Sequence, residues 1–270
     1  MKIAVCQTKG VNGDVAKALD LVRSQAEVAA SRGASLVVFP EMFLTGYNIG
    51  EAAFKLAEPS EGPSAAAVAA ISRKTGVAIL YGYPEREGDR IFNSALLIHP
   101  ARGAVANYRK THLYGAEEQK LFVPGDDLVV AELDSLKVGI LICYDVEFPE
   151  AVRALALAGA ELVAVPTALI QPFDIVARTL VPARAFENQV CVAYAAMYGN
   201  EGKLDYCGLS CIVGPDGRDI ARADAAPALL FADIDSSAIS KGRKSNPYLS
   251  DRRMELYTAP VKRARSLFEE

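Results

Sequence analysis

Residues 137–150 read KVGILICYDVEFPE. Val138 to Ile142 form an unbroken apolar run, the length of a strand buried on both faces, and the run ends at Cys143. Pro149 then sits where the first turn of a helix favours proline, so the stretch predicts a central strand over 137–143 and a helix over 149–158. SLVVFPE (35–41) has the same grammar: a buried strand over 35–39 runs straight into Pro40 and Glu41. VANYRK (105–110) brings Lys110 to a third strand end.

Working outward, residues 2–7 form an apolar strand, and Asn12 or Asp14 caps a helix. The apolar positions of that helix, Val15, Ala18, Leu19, Val22, Ala26 and Ala29, recur at helical spacing before Gly33. Pro63 starts an Ala-rich helix that Gly76 stops, and residues 77–83 return as a strand. Antiparallel strands follow at 91–99 and 104–108. Further on, strands are expected at 162–166, 190–197, 209–213 and 229–234, a helix at 175–188, and a hairpin turn at Gly214-Pro215-Asp216-Gly217. Nothing reads as a linker or repeat, so residues 1–270 are expected to form one domain. The polar stretch 236–270 is an extension that packs on the domain or on a partner subunit, with Pro247, Tyr248 and Leu249 as anchors. Mixed parallel and antiparallel strands outnumber helices, which predicts an α/β fold of two stacked sheets flanked by helices.

A net charge of −4 offers no basic face for nucleic acid, and no apolar run approaches the length of a membrane span. Five cysteines, an odd number scattered through apolar runs, suit free thiols in a reducing cytoplasm. With two histidines and no CxxC, a structural metal site is not expected.

Taken singly, the three strand-end residues are ordinary: Cys143 an inert core thiol, Lys110 a surface charge, Glu41 an exposed turn residue. Together they meet the needs of a thiol attacking an amide: a base for the thiol proton, fixed positive charge for the oxyanion, and a proton for the leaving nitrogen. Glu41, beside Phe39, Met42 and Phe43, suits a base of raised pKa. The Tyr144 N–H is a candidate second oxyanion donor. Glu147, four residues past Cys143, either faces the pocket and pairs with a substrate ammonium or stabilises the helix start near Pro149. Tyr47 offers an aromatic wall or a hydroxyl. His112, two residues past Lys110, is the Cys/His alternative, more simply read as a loop hydrogen-bonder. Cys207 and Cys211 are read as core residues.

FPEMFLTGY (39–47), YRKTHL (108–113), EQKLFVPG (118–125) and ICYDVEFPE (142–150), in this order, closely resemble the nitrilase, or carbon–nitrogen hydrolase, superfamily. VPTA (165–168), ARAFEN (183–188) and GPDG (214–217) extend the resemblance over nearly the whole chain. It implies a four-layer α-β-β-α sandwich, usually paired into dimers or larger assemblies. It also implies Glu41 as general base, Lys110 as oxyanion stabiliser, Cys143 as nucleophile and Glu118 as a second glutamate supporting the lysine. Glu117 is one residue off the pattern. Thr167 and Ala168 complete the residues expected at the substrate. No cofactor is implied.

Cys143-Tyr144-Asp145 differs from the Cys-Trp-Glu of true nitrilases, and Val146-Glu147 from the Gln-Trp and Met-Arg of the carbamoylputrescine and omega-amidase branches. With LTGYNIG (44–50) and NPYLSDRR (246–253), the chain looks most like bacterial aliphatic amidases of the R-stereoselective type, which act on amino-substituted or cyclic-amine carboxamides. An N-carbamoyl amino acid or ureido hydrolase is the alternative; it needs a pocket cation, for which Arg178 and Arg184 are candidates, although Arg184 also suits a pair with Glu187. A silent nitrilase-like binding protein is a third reading, opposed by the intact Glu41, Lys110, Glu118 and Cys143. A synthetase-linked ammonia-supplying domain is a fourth, for which the chain carries no synthetase region.

Overall fold

The computed structural model of the chain describes residues 1–258. β1 (Lys2–Gln7), β2 (Leu36–Val38), β3 (Ala78–Glu87), β4 (Arg90–His99) and β5 (Gly103–Arg109) form most of one sheet. β6 (Val129–Leu133), β7 (Leu136–Ile140), β8 (Leu162–Thr167) and β9 (Cys191–Ala196) begin the second. A separate hairpin follows, β10 (Tyr198–Glu201) with β11 (Leu204–Cys207), before β12 (Cys211–Val213) and β13 (Asp219–Arg222) complete the second sheet. β14 (Ala228–Asp233) returns to the first sheet beside β1. The orders are β14-β1-β2-β3-β4-β5 and β13-β12-β9-β8-β7-β6.

Side-chain alternation decides what each face meets. Ile3, Val5, Leu36 and Val38 point into the core shared with the second sheet. Their neighbours Ala4, Cys6, Val37 and Phe39 point outward beneath α1 (Val15–Ser31) and, beyond the short α2 (Ala52–Leu56), α3 (Pro63–Thr75). Full burial of each Val, Ile or Leu contributes about 1.5–3 kcal/mol, so both faces of the sheet are held. After α4 (Gly115–Leu121), α5 (Pro149–Leu157) and α6 (Val181–Asn188) supply Val152, Leu155, Val181 and Ala185 to the far side of the second sheet. The layers are therefore α-β-β-α.

Local signals act where they stand in the sequence. Asp14 caps α1 through the Lys17 N–H, and Gly76 ends α3 at φ 72°. The Gly214–Gly217 turn joins β12 to β13. One expectation is corrected, and two elements gain detail. The strand expected over 137–143 ends at Ile140, and Cys143 instead opens a 3-10 turn (Cys143–Glu147) at φ 47°. The helix over 175–188 begins as a π turn before α6. Residues 236–245, the start of the expected polar extension, form α7 (Ser236–Ser245), which buries Ile239 and donates from Arg243 to Ala160 O at 2.7 Å. Tyr248 then lies edge-on to Phe186, Leu249 reaches the core, and α8 (Met254–Thr258) follows. Residues 259–270 of the expected extension lie outside the described residues.

β1, β2 and β3 run parallel, β5 shares their direction across the antiparallel β4, and β7, β8 and β9 run parallel in the second sheet. The segments leaving β2 and β5 in one sheet and β7 and β8 in the other meet at one end of the sandwich.

Candidate active site

Glu41 lies three residues beyond β2, on a turn pressed against the sheet. Gly82 in β3 makes that approach possible, because a Cβ there would lie 2.7 Å from Glu41 Cα and 2.7 Å from Pro40 O. The turn is strained at Met42, with φ 48°. Lys110 leaves β5 with its N–H on Asn93 O at 2.8 Å, and its side chain is fully buried. Lys110 Nζ donates to Glu41 Oε1 and to Glu118 Oε1, both at 2.7 Å. Asn93 Nδ2 donates to Glu41 Oε1 at 2.7 Å, and the Ala168 N–H donates to Glu41 Oε2 at 2.9 Å. Glu118 Oε1 also accepts the Tyr47 hydroxyl at 2.7 Å, and Glu118 Oε2 accepts the Tyr114 N–H at 2.6 Å.

Burying such a cluster costs several kcal/mol per ion before pairing, so close to complete hydrogen bonding is what makes it tolerable. Burial raises the Glu41 pKa, Lys110 opposes the rise, and Glu118 adds to it. Burial alone would lower Lys110, but Glu41 and Glu118 outweigh it and keep the ammonium charged. Cys143 is raised well above an ordinary thiol by burial and by Glu41, against the pull of Lys110 and the Ala168 N–H. The resting thiol therefore keeps its proton beside a carboxylate able to take it. Cys143 is the one cysteine of five that keeps partial exposure, where the thiol meets the cavity; burial pushes Cys6, Cys191 and Cys211 up to about 12.

Asp145, fully buried, binds the Cys143 turn to the Lys110 loop. Oδ2 accepts the Tyr108 hydroxyl at 2.8 Å and the Ile142 N–H at 3.0 Å; Oδ1 accepts the Thr111 hydroxyl at 3.0 Å and the His112 N–H at 2.9 Å. His112 Nδ1 also lies 2.9 Å from Asp145 Oδ1, and its ring stacks on Phe148 at 3.9 Å. His112 thus belongs to this clamp.

Cys143 opens into a cavity of about 250 Å³ walled by Tyr47, Tyr114, Tyr144, Ala168, Ile170 and Phe173, with Glu147 at its side. The Glu147 carboxylate has no hydrogen-bond or ion-pair partner among the described residues, and burial raises its pKa. Among the described residues no arginine or lysine lines this cavity. Arg178 pairs with Asp174 at 2.9 Å, and Arg184 is spent on Val146 O, Glu147 O and Glu187.

The chain matches the carbon–nitrogen hydrolase family over residues 2–244. It belongs to that family. A hydrolase of Pseudomonas protegens is 50% identical over 97% of this chain and 93% of its own. An (R)-stereoselective amidase of a Pseudomonas species is 36% identical over 95% and 93%. Among solved structures, the amidase of a Nesterenkonia species superposes with a TM-score of 0.86 at 36% identity, covering 95% of each chain. A variant of that amidase carries the acetamide moiety of fluoroacetamide on its active-site cysteine.

In this carbon–nitrogen hydrolase, Glu41, Lys110, Glu118 and Cys143 converge, and Tyr47, Tyr144, Glu147 and Ala168 face the cavity with the thiol. Thr167, expected at the substrate, is not among the residues that line the cavity: it is fully buried and its hydroxyl donates to Val165 O at 3.1 Å. Glu117, off the pattern, lies outside the bonded cluster. Sequence reasoning gave no role to Asn93, Asp145, Tyr114 or Phe173. Asn93 had a visible signal, since Asn93-Ser94 interrupts the apolar strand IFNSALLIH. Among the described residues no group of acids, histidines and cysteines is arranged to hold a metal, and no helix is long and apolar enough to cross a membrane.

Proposed function

We propose that the protein hydrolyses small aliphatic amides, amino-substituted carboxamides above all, to carboxylic acid and ammonia through a Cys143 thioester. The observation that carries this reading is the unpaired Glu147 carboxylate in the Cys143 cavity, behind which Glu41, Lys110 and Glu118 are bonded into one buried cluster.

Cys143 Sγ attacks the amide carbon as its proton passes to Glu41. The carbonyl electron pair moves onto oxygen, where Lys110 and the Tyr144 N–H hold the charge. The oxyanion collapses, the C–N bond breaks, and Glu41 returns the proton to nitrogen so that ammonia leaves. Water then loses a proton to Glu41 and attacks the thioester, and the thiol departs with that proton. Glu118 and Tyr47 keep Lys110 on target. Glu147, half-buried at the side of the cavity, receives the ammonium of an aminoamide. The protein is further proposed to work in the cytoplasm, without cofactor, as a dimer or larger assembly.

Apart from Lys110 at the oxyanion, no cation among the described residues meets the cavity, which weighs against the N-carbamoyl amino acid alternative, whose carboxylate would meet Glu147. Ammonia release from an aminoamide, its neutral isostere and the matching N-carbamoyl amino acid tests the reading. The order aminoamide, neutral amide, carbamoyl compound is expected; a preference for the carboxylate-bearing substrate would overturn it.

A further inference from the structure

Glu201, at the end of β10, is 2% exposed and lies outside the cluster described above. Its Oε2 accepts three donors: the Tyr47 N–H at 3.1 Å, the Asn48 N–H at 2.7 Å and the Tyr206 hydroxyl at 2.7 Å. The Glu201 carbonyl takes a fourth, Asn48 Nδ2 at 2.7 Å. Oε1 is buried without a hydrogen-bond partner, wedged against Gly10 and Gly46 where a Cβ would collide with the carboxyl group. Gly46, at φ 92°, turns the chain so that consecutive N–H groups of the next two residues converge on one oxygen. No cation pairs with this carboxylate among the described residues. A buried acid with every donor on one oxygen is costly to keep unless the geometry it fixes is used.

That geometry leads to the reaction centre. Tyr47 is held at both ends, by its N–H on Glu201 and by its hydroxyl on Glu118 Oε1, the oxygen that also takes Lys110. The hairpin of Glu201 also meets the opposite wall: Cys207 N–H donates to Leu169 O at 2.8 Å, and Gln171 N–H to Asp205 O at 2.9 Å. We infer that Glu201 is a positioning residue that sets the Tyr47 phenol against Glu118 and, through it, the aim of Lys110 at the Cys143 site. The inference deepens the amide-hydrolysis reading and rests on it for the turnover measurement alone.

The acceptor at Oε2 is the working atom, so Glu201→Gln, which can present its carbonyl oxygen there, keeps the function. Glu201→Asp keeps the charge but withdraws it by one methylene, and Glu201→Ala removes it. The test is a double-mutant cycle with Tyr47→Phe, read by amide kcat/KM and by the rate of Cys143 alkylation with iodoacetamide. Alkylation needs no knowledge of the substrate, so it still decides if the amidase reading fails. With Tyr47 intact, a loss of about tenfold or more is expected for Glu201→Asp and Glu201→Ala, and Glu201→Gln should stay within about threefold of wild type. In the Tyr47→Phe background, the same changes at Glu201 should add little further loss. A purely structural Glu201 would lower the melting temperature and cost the same factor in both backgrounds. That result, or Glu201→Gln failing as badly as Glu201→Asp, overturns the inference. Where Glu201→Ala does not fold, Glu201→Asp supplies the displaced arm.

Discussion

Asp145 Oδ2 accepts the Tyr108 hydroxyl at 2.8 Å, joining the turn that begins at Cys143 to the strand that ends one residue before Lys110. The nucleophile turn departs from one sheet and the lysine from the other, so this carboxylate fixes a distance that neither sheet sets alone. Cys143 at φ 47° needs such a restraint to stay in place.

Asp145→Asn puts an amide NH2 where either the Tyr108 and Ile142 donors or the Thr111 and His112 donors now end. The expected cost is about 1–3 kcal/mol in denaturant unfolding. A fall in kcat should accompany it as the thiol loses register with Lys110. An unchanged midpoint and unchanged kcat would remove Asp145 from this role.

Glu147→Gln keeps the size of the side chain and deletes its charge. Aminoamides should lose about tenfold or more in kcat/KM, as expected for a charge-assisted hydrogen bond, while neutral amides of the same shape change little. Steady-state kinetics on the matched pair reads the difference. Equal losses would return Glu147 to a local role at the start of α5.

In the proposed mechanism Glu41 must be ionised to accept the thiol proton. Burial places the Glu41 pKa above its ordinary value of 4.5, so the acid limb of kcat/KM should lie above that pH and activity should fall as pH drops through it. Asn93 donates to Glu41 and lowers its pKa, so Asn93→Ala should move the acid limb to higher pH. A limb that stays in place or moves to lower pH would detach it from Glu41.

Much of this architecture is legible in the sequence because its signals are local. Pro63, Gly76, Pro149 and the alternation of β1 and β2 act where they stand. Glu41, Lys110 and Cys143 are visible as reactive groups at strand exits, and the motifs around them single out Glu118. What escapes is polar and buried. Asn93, Asp145 and Glu201 look like surface residues in a linear reading, and their partners lie far along the chain: Glu41 from Asn93, Tyr108 from Asp145, Tyr47 from Glu201. The β10–β11 hairpin, YGNEGKLDYC, lacks the apolar period that marks a strand, because it is held by pairing and by Glu201 rather than by a core face. Thr167 shows the limit of a motif: VPTA brings the chain to the site, but it does not say which of its side chains meets the cavity, and Thr167 itself is fully buried.

The measurement that bears most directly on the central claim is ammonia release by wild type and Cys143→Ala on the best aminoamide, with folding of both checked by circular dichroism. Wild type should turn over steadily, and the variant should drop by about a thousandfold or more, to background. Turnover by a folded Cys143→Ala at a rate near wild type would contradict it.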